Sequence, residues 1–257
     1  MATDWCPFAR KRAIVNTNFT AGRGGQKVIA VVLHIAAGNL EGVYQWFNNP
    51  ASKVSAHFCV GKDGTIDQYV SVNDTAYANG LAWQNGEWQN ALGKKVTPTW
   101  QDIIPQINPN RYTVSIEHEG FPQDTWTPAM HAANNRLLVW LAEQFELALV
   151  PQHSLIGHGE INPLDKANCP GPHVEYARSA VEVATLRTAK QFTWMPINTA
   201  AALYRFAQER DLGYPQTDEF ETTFEGETYL AQVFNLGIVY VKKGDWENAQ
   251  WVKKPEA

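Results

Sequence analysis

Runs of apolar residues, strict alternation and helical spacing each mark out elements along this chain. Residues 28 to 35, VIAVVLHI, are apolar up to a histidine and stop at AAGN, the pattern of a strand buried on both faces that presents His34 to a loop. Residues 113 to 119, TVSIEHE, alternate instead, with Val114, Ile116 and His118 on one face and Ser115, Glu117 and Glu119 on the other. AHFCVGKDGTIDQYV divides into two strands about Asp63 and Gly64, a dipeptide that favours a tight hairpin, with His57 on the first strand.

Helical spacing fills the gaps between these strands. LEGVYQWFNN sets Val43, Trp46 and Phe47 at i, i+3 and i+4 ahead of Asn49 and Pro50, which predicts a short helix with that stripe in the core. Thr127 and Pro128 read as the cap and first residue of a longer helix whose buried stripe is Met130, Leu137, Leu138, Leu141, Phe145 and Leu149. HVEYARSAVEVATLRTAK predicts another helix and QFTWMPI breaks it, so a boundary is expected near residue 190, dividing residues 1 to 189 from residues 190 to 257. In the second part Asn198 is placed to cap TAAALYRFAQERDLG, with Leu203, Phe206 and Ala207 on one face and Gly213 at the stop. The strands TYLAQVF and GIVYV then flank a turn from Asn235 to Gly237. That makes a small α+β module of marginal independent stability. Residues 79 to 110, rich in Asn, Gln, Trp and Pro, read as one long loop. Trp83, Trp88 and Trp100 in it either line a groove for a sugar or peptide or pin the loop to the body.

Composition narrows the classes. With 257 residues, 44% hydrophobic and 18% charged, the chain is globular and long enough for a real core, and no apolar run approaches the ~20 residues of a membrane span. The opening MATDWCPFARKRAIV lacks the apolar core of a secretory leader, so synthesis in a cytoplasm, without membrane insertion, is expected. A net charge of −5 argues against a nucleic-acid partner, which demands clustered Lys and Arg. The three cysteines Cys6, Cys59 and Cys169 have no framework spacing and suit a reducing compartment.

Candidate chemistry gathers in GHGEINPLDKANCPGP, residues 157 to 172, where Pro163 and Pro170 prevent one regular helix and let His158 and Cys169 turn toward one point. Imidazole and thiolate are donors that zinc prefers, and His34 at its strand end offers a third, leaving a position for water. Facing such a metal, Glu117 or Glu119 can act as a general base, while His57 suits a supporting place beside the site.

Taken in order, the strand ending in His34, the hairpin AHFCVGKDGTI, the strand VSIEHEG and the loop GHGEINPLDKANCPGP resemble the successive signatures of type 2 N-acetylmuramoyl-L-alanine amidases, a family that includes phage amidase endolysins and peptidoglycan recognition proteins. The resemblance covers roughly residues 28 to 175. It implies an α/β fold, a central mixed β-sheet flanked by helices, with the small C-terminal α+β module outside it. It also implies Zn2+ held by His34, His158 and Cys169, with Glu117 activating the attacking water and Glu119 as the fallback. Lys166 would stabilise the oxyanion, although it stands three positions before Cys169, whereas relatives place a lysine two before and this chain has Ala167 there. The position that some relatives fill with a catalytic tyrosine is Ala56. Substrate contacts are expected from His57, Glu119 and Trp83. The implied activity is cleavage of the amide between N-acetylmuramic acid and L-alanine in bacterial peptidoglycan, by a monomeric phage endolysin made in the host cytoplasm and acting at the wall. A non-catalytic peptidoglycan-binding receptor and a metal-free glycosidase using Glu117 and Glu119 are the alternatives.

Overall fold

The computed structural model describes residues 4–191 and 198–253, and contacts divide the chain into two compact units, residues 1–184 and 185–257. The first is built on a six-stranded mixed sheet. Its strands are β1 (Arg10–Lys11), β3 (Ala30–Ile35), β4 (Phe58–Val60), β5 (Ile66–Gln68), β9 (Thr113–His118) and β10 (Leu155–Gly157), in the order β1-β5-β4-β9-β3-β10. Only the β4–β5 hairpin is antiparallel; β3 lies between β9 and β10, parallel to both. A two-stranded ladder of β2 (Phe19–Thr20) with β6 (Thr75–Ala76) stands apart, as does a hairpin of β7 (Leu81–Gln84) and β8 (Glu87–Asn90).

Both faces of the sheet are covered, which is why β3 is apolar throughout. On one face Val31, Leu33, Val114 and Ile116 pack with Met130, Leu137, Leu138 and Leu141 of α2 (Pro128–Gln144). Thr127 caps that helix by accepting the Met130 N–H at 3.1 Å. The opposite face divides: Ala30 and Val32 lie under Trp88, Trp100 and Tyr112, while Cys59 and Tyr69 lie under Val43 and Phe47 of α1 (Leu40–Phe47). Ser115 is therefore buried too, and the alternation expected of β9 does not separate a core face from a wet one.

Four expectations need correcting. Trp46 is 55% exposed rather than part of the buried α1 stripe, because the helix turns Val43 and Phe47, with Leu40 and Tyr44 beside them, to the core. Phe145 caps α2 and Leu149 lies beyond its end, both still packed on the core. Residues 79 to 110 are not one loop: Asn85 and Gly86, at φ 53° and 82°, form a turn that closes β7 onto β8. Asn198 accepts the Ala200 N–H at 3.1 Å in a turn ahead of α6 (Ala202–Glu209), whose cap is Ala201.

The loop 157 to 172 carries two short turns, α3 (His158–Ile161) and α4 (Pro163–Lys166), followed by α5 (Tyr176–Gln191). The break expected over residues 191 to 197 falls, from 192 onward, outside the described residues. The second unit is an antiparallel sheet of β11 (Phe220–Phe224), β12 (Glu227–Phe234), β13 (Gly237–Lys242) and β14 (Gln250–Lys253), with α6 packing Leu203 and Ala207 against Phe234, Val239 and Val241. Its two outer strands went unpredicted.

Candidate functional site

His34 shares a face with Ala30 and Val32 and sits near the C-terminal end of β3, directly opposite Glu117 in the parallel register with β9. His158 opens α3, straight after β10, the other neighbour of β3. Cys169 returns over this point because the connecting turns are tight. The Gly159 N–H donates to the Cys169 carbonyl at 2.9 Å and the Cys169 N–H to the Lys166 carbonyl at 2.9 Å. A Cβ on Gly159 would meet the Lys166 carbonyl at 2.9 Å, so that position admits no larger residue without movement.

One ligand atom each from His34, His158 and Cys169 lies within 4.8 Å of the other two. The His158 Nε2–H donates to the Asn79 carbonyl at 3.1 Å, which leaves its Nδ1 bare, and that nitrogen is 3.0 Å from the Nδ1 of His34. The buried Nε2 of His34 finds no hydrogen-bond partner. A cation accepting one nitrogen from each ring accounts for this approach of two imidazoles. Burial lowers both pKa values, that of His158 to about 4, so both rings are neutral donors at pH 7. Burial, with Glu117 nearby, pushes the Cys169 thiol up to about 12, while the Ile35 N–H, which donates to Sγ at 3.4 Å, pulls the other way. Without a cation the thiol stays protonated; a divalent ion supplies the charge that its thiolate needs. Two imidazoles and one thiolate with an open fourth position fit zinc.

These donors lie in a groove of about 930 Å³, also lined by Glu117 and Lys166. Burial raises the Glu117 carboxyl to about 7 while Lys166 draws it down, and its Oε2 has no hydrogen-bond partner. A half-buried carboxylate with a raised pKa and an unpartnered buried oxygen, beside a metal-type donor set, is placed to exchange protons near neutral pH.

Residues 24–172 match the sequence model described as N-acetylmuramoyl-L-alanine amidase. The chain belongs to that family. It is similar to N-acetylmuramoyl-L-alanine amidase A of Achromobacter lyticus, 33% identical over 111 residues, 42% of this chain and 48% of that protein, so the match spans about half of the curated relative. A crystal structure of AmpD, as its selenomethionine derivative, aligns over 70% of this chain and 98% of its own with a TM-score of 0.53 at 19% identity, a likeness of fold. An endolysin amidase of Clostridium intestinale aligns over 71% of this chain and 99% of its own at 14% identity, with a TM-score of 0.45.

The remaining residues expected at this family member's site stand elsewhere. His57 is buried before β4, where its Nδ1 accepts the Ser115 N–H at 3.1 Å and its Nε2 meets the Asp74 carbonyl at 3.2 Å and the Arg23 guanidinium at 3.1 Å. Burial and Arg23 lower its pKa to about 3; it ties segments together and does not line the groove. Glu119 follows the end of β9 and accepts the Lys62 N–H at 2.8 Å, bracing the β4–β5 turn. That leaves the glycosidase alternative without its second carboxylate in the groove. Trp83 packs edge-on to Trp88 at 5.1 Å, an anchor for its hairpin. Two contributors were missed. The carbonyl of Asn79 orients His158, and the buried His118 donates from Nδ1 to the His34 carbonyl at 2.9 Å while stacking on Trp126 at 4.0 Å. His118 was legible only as an apolar-face residue, and a backbone carbonyl leaves no mark in sequence.

Proposed function

We propose that the chain is a zinc-dependent N-acetylmuramoyl-L-alanine amidase that cleaves the amide between N-acetylmuramic acid and L-alanine in peptidoglycan. The observation that carries this reading is the convergence of His34, His158 and Cys169 with Glu117 and Lys166 in one groove. Bound by the first three, zinc would lower the pKa of a water toward 7 and polarise the scissile carbonyl. Glu117 takes the proton of the attacking water, since a carboxyl poised near 7 can accept it and return it to the departing amine of L-alanine. Lys166, exposed at the rim, faces the oxygen on which negative charge develops.

Residues 1 to 189 carry the chemistry and residues 190 to 257 serve placement on the wall. A catalytic unit followed by a separate compact unit suits an enzyme that works on an insoluble polymer, and a monomeric phage endolysin, made in the host cytoplasm and acting at the wall, is the setting this reading favours. Mass spectrometry of digested sacculi tests the activity. Free L-alanine amino termini with intact glycan strands, abolished by a chelator and restored by zinc, are expected. Binding of sacculi without any cleavage would instead support a receptor.

A further inference from the structure

The two arms of the groove differ in chemistry. One runs under the β7–β8 hairpin, which packs over β3 and β10, and presents the exposed neutral amide Gln84; the buried Gln89 and Asn90 also line it, their amides donating to Glu87 and Asp165. The other runs along α1, which packs over β4 and over Tyr69 just after β5, and presents Trp46 and Lys53. The zinc-type donors and Glu117, on β3, β9 and the turn after β10, stand between.

The α1 arm is a built wall. Asn18, wholly buried, donates its amide to the carbonyls of Phe47 at 2.7 Å and Asn49 at 2.8 Å, fixing the turn that leads to Lys53. Trp46 is the exposed member of an otherwise core-facing stripe, at 55%. Lys53, held at φ 54°, is exposed and pairs with no carboxylate among the described residues. Apart from the histidines, the titratable side chains of the groove that carry charge are Lys53, Lys166 and Glu117, so beyond the reacting centre its one fixed charge is positive.

We infer that Trp46 and Lys53 form the subsite for an anionic stem peptide, Lys53 pairing with a peptide carboxylate and Trp46 flanking the peptide backbone, while the amide arm takes the hydroxyl-rich sugar. This deepens the amidase reading and rests on it. A neutral amide hydrogen-bonds hydroxyls without a charge preference, whereas an ammonium that pairs with no carboxylate among the described residues, in the same groove as an exposed indole, favours a chain that is both anionic and partly apolar. The substrate is thereby oriented, sugar toward β7–β8 and peptide toward α1.

The test uses the full chain with zinc and two synthetic muramyl peptides, one with a free glutamate carboxylate and one with that group amidated. The wild type is expected to show a KM about threefold to tenfold lower for the acid than for the amide, with the difference in KM rather than kcat. Lys53→Met erases that preference and Lys53→Arg keeps it; Trp46→Ala raises KM for both compounds. Calorimetry on chelated protein, which binds without turnover, should reproduce the same order. Equal KM for acid and amide in the wild type, or a preference that survives Lys53→Met, overturns the subsite while the amidase reading stands. Cleavage of neither compound overturns both.

Discussion

Glu117→Gln separates what this carboxylate does for the reaction from what it costs the fold. In the folded protein its carboxyl titrates near 7, against an ordinary 4.5, because burial disfavours the charged form. Below pH 4.5 both folded and unfolded chains hold the proton, so the residue costs nothing. Between 4.5 and about 7 the unfolded chain releases the proton while the folded one retains it, so stability falls as pH rises and levels off above 7. At ~1.36 kcal/mol per pH unit that interval is worth on the order of 3 kcal/mol, trimmed to roughly 2 because one side of the residue opens on the groove. Glutamine has the same shape and no charge, so it escapes this penalty, and the pH-independent cost of a buried amide cancels when the gap is followed across pH.

The assay is thermal unfolding with chelator present, followed by tryptophan fluorescence at pH 4 to 8. At pH 4 the variant and the wild type differ by a constant offset; by pH 8 the variant gains roughly 4–8 °C relative to that offset. With zinc restored, the same variant should retain metal and lose on the order of 10² to 10⁴ in turnover. A stability gap that does not move with pH would refute the desolvation argument, and near wild-type turnover would remove Glu117 as the base.

Other expectations follow from the same geometry. His158→Ala removes one of three donors, and elemental analysis should show the variant purified without stoichiometric zinc; full occupancy would mean a different ligand set. Lys166→Met should lower kcat with little change in metal content, measured by steady-state kinetics on a soluble muropeptide, and Lys166→Arg should recover part of the loss. A chain ending near residue 190 should still cleave that muropeptide while clearing whole walls more slowly; equal loss on both substrates would show that the second unit is needed for the first to fold.

The parts of the fold that were legible are those whose pattern is set by burial. β3 is a continuous apolar run because sheet neighbours and packed layers enclose it, and His34 marks where that run meets the groove. The β7–β8 hairpin carried its signal in Asn85 and Gly86, but LAWQ and EWQN have no β-branched residues and the dipeptide was absorbed into an apparent loop. Glu117 and Glu119 looked equivalent because alternation was carried past the strand. β9 ends at His118, and beyond it the Glu119 side chain turns to the Lys62 N–H. Trp46 fitted helical spacing and still faces outward, since spacing identifies a face but not how far the covering sheet extends.

The spacing of Lys166 and Cys169 shows how a local departure can leave a site whole. A lysine three positions before the ligand, where relatives have it two before, looked like a displacement. The backbone resolves it, because the Cys169 N–H donates to the Lys166 carbonyl at 2.9 Å and so closes an i to i+3 turn. Residues three apart across such a turn share a side, and both side chains line the same groove. Asp165 steadies the segment from outside by accepting the Asn90 amide at 2.8 Å, which ties α4 to the β7–β8 hairpin. The extra residue is thus taken up by a hydrogen-bonded turn, and the hairpin that escaped sequence reading helps hold that turn in place.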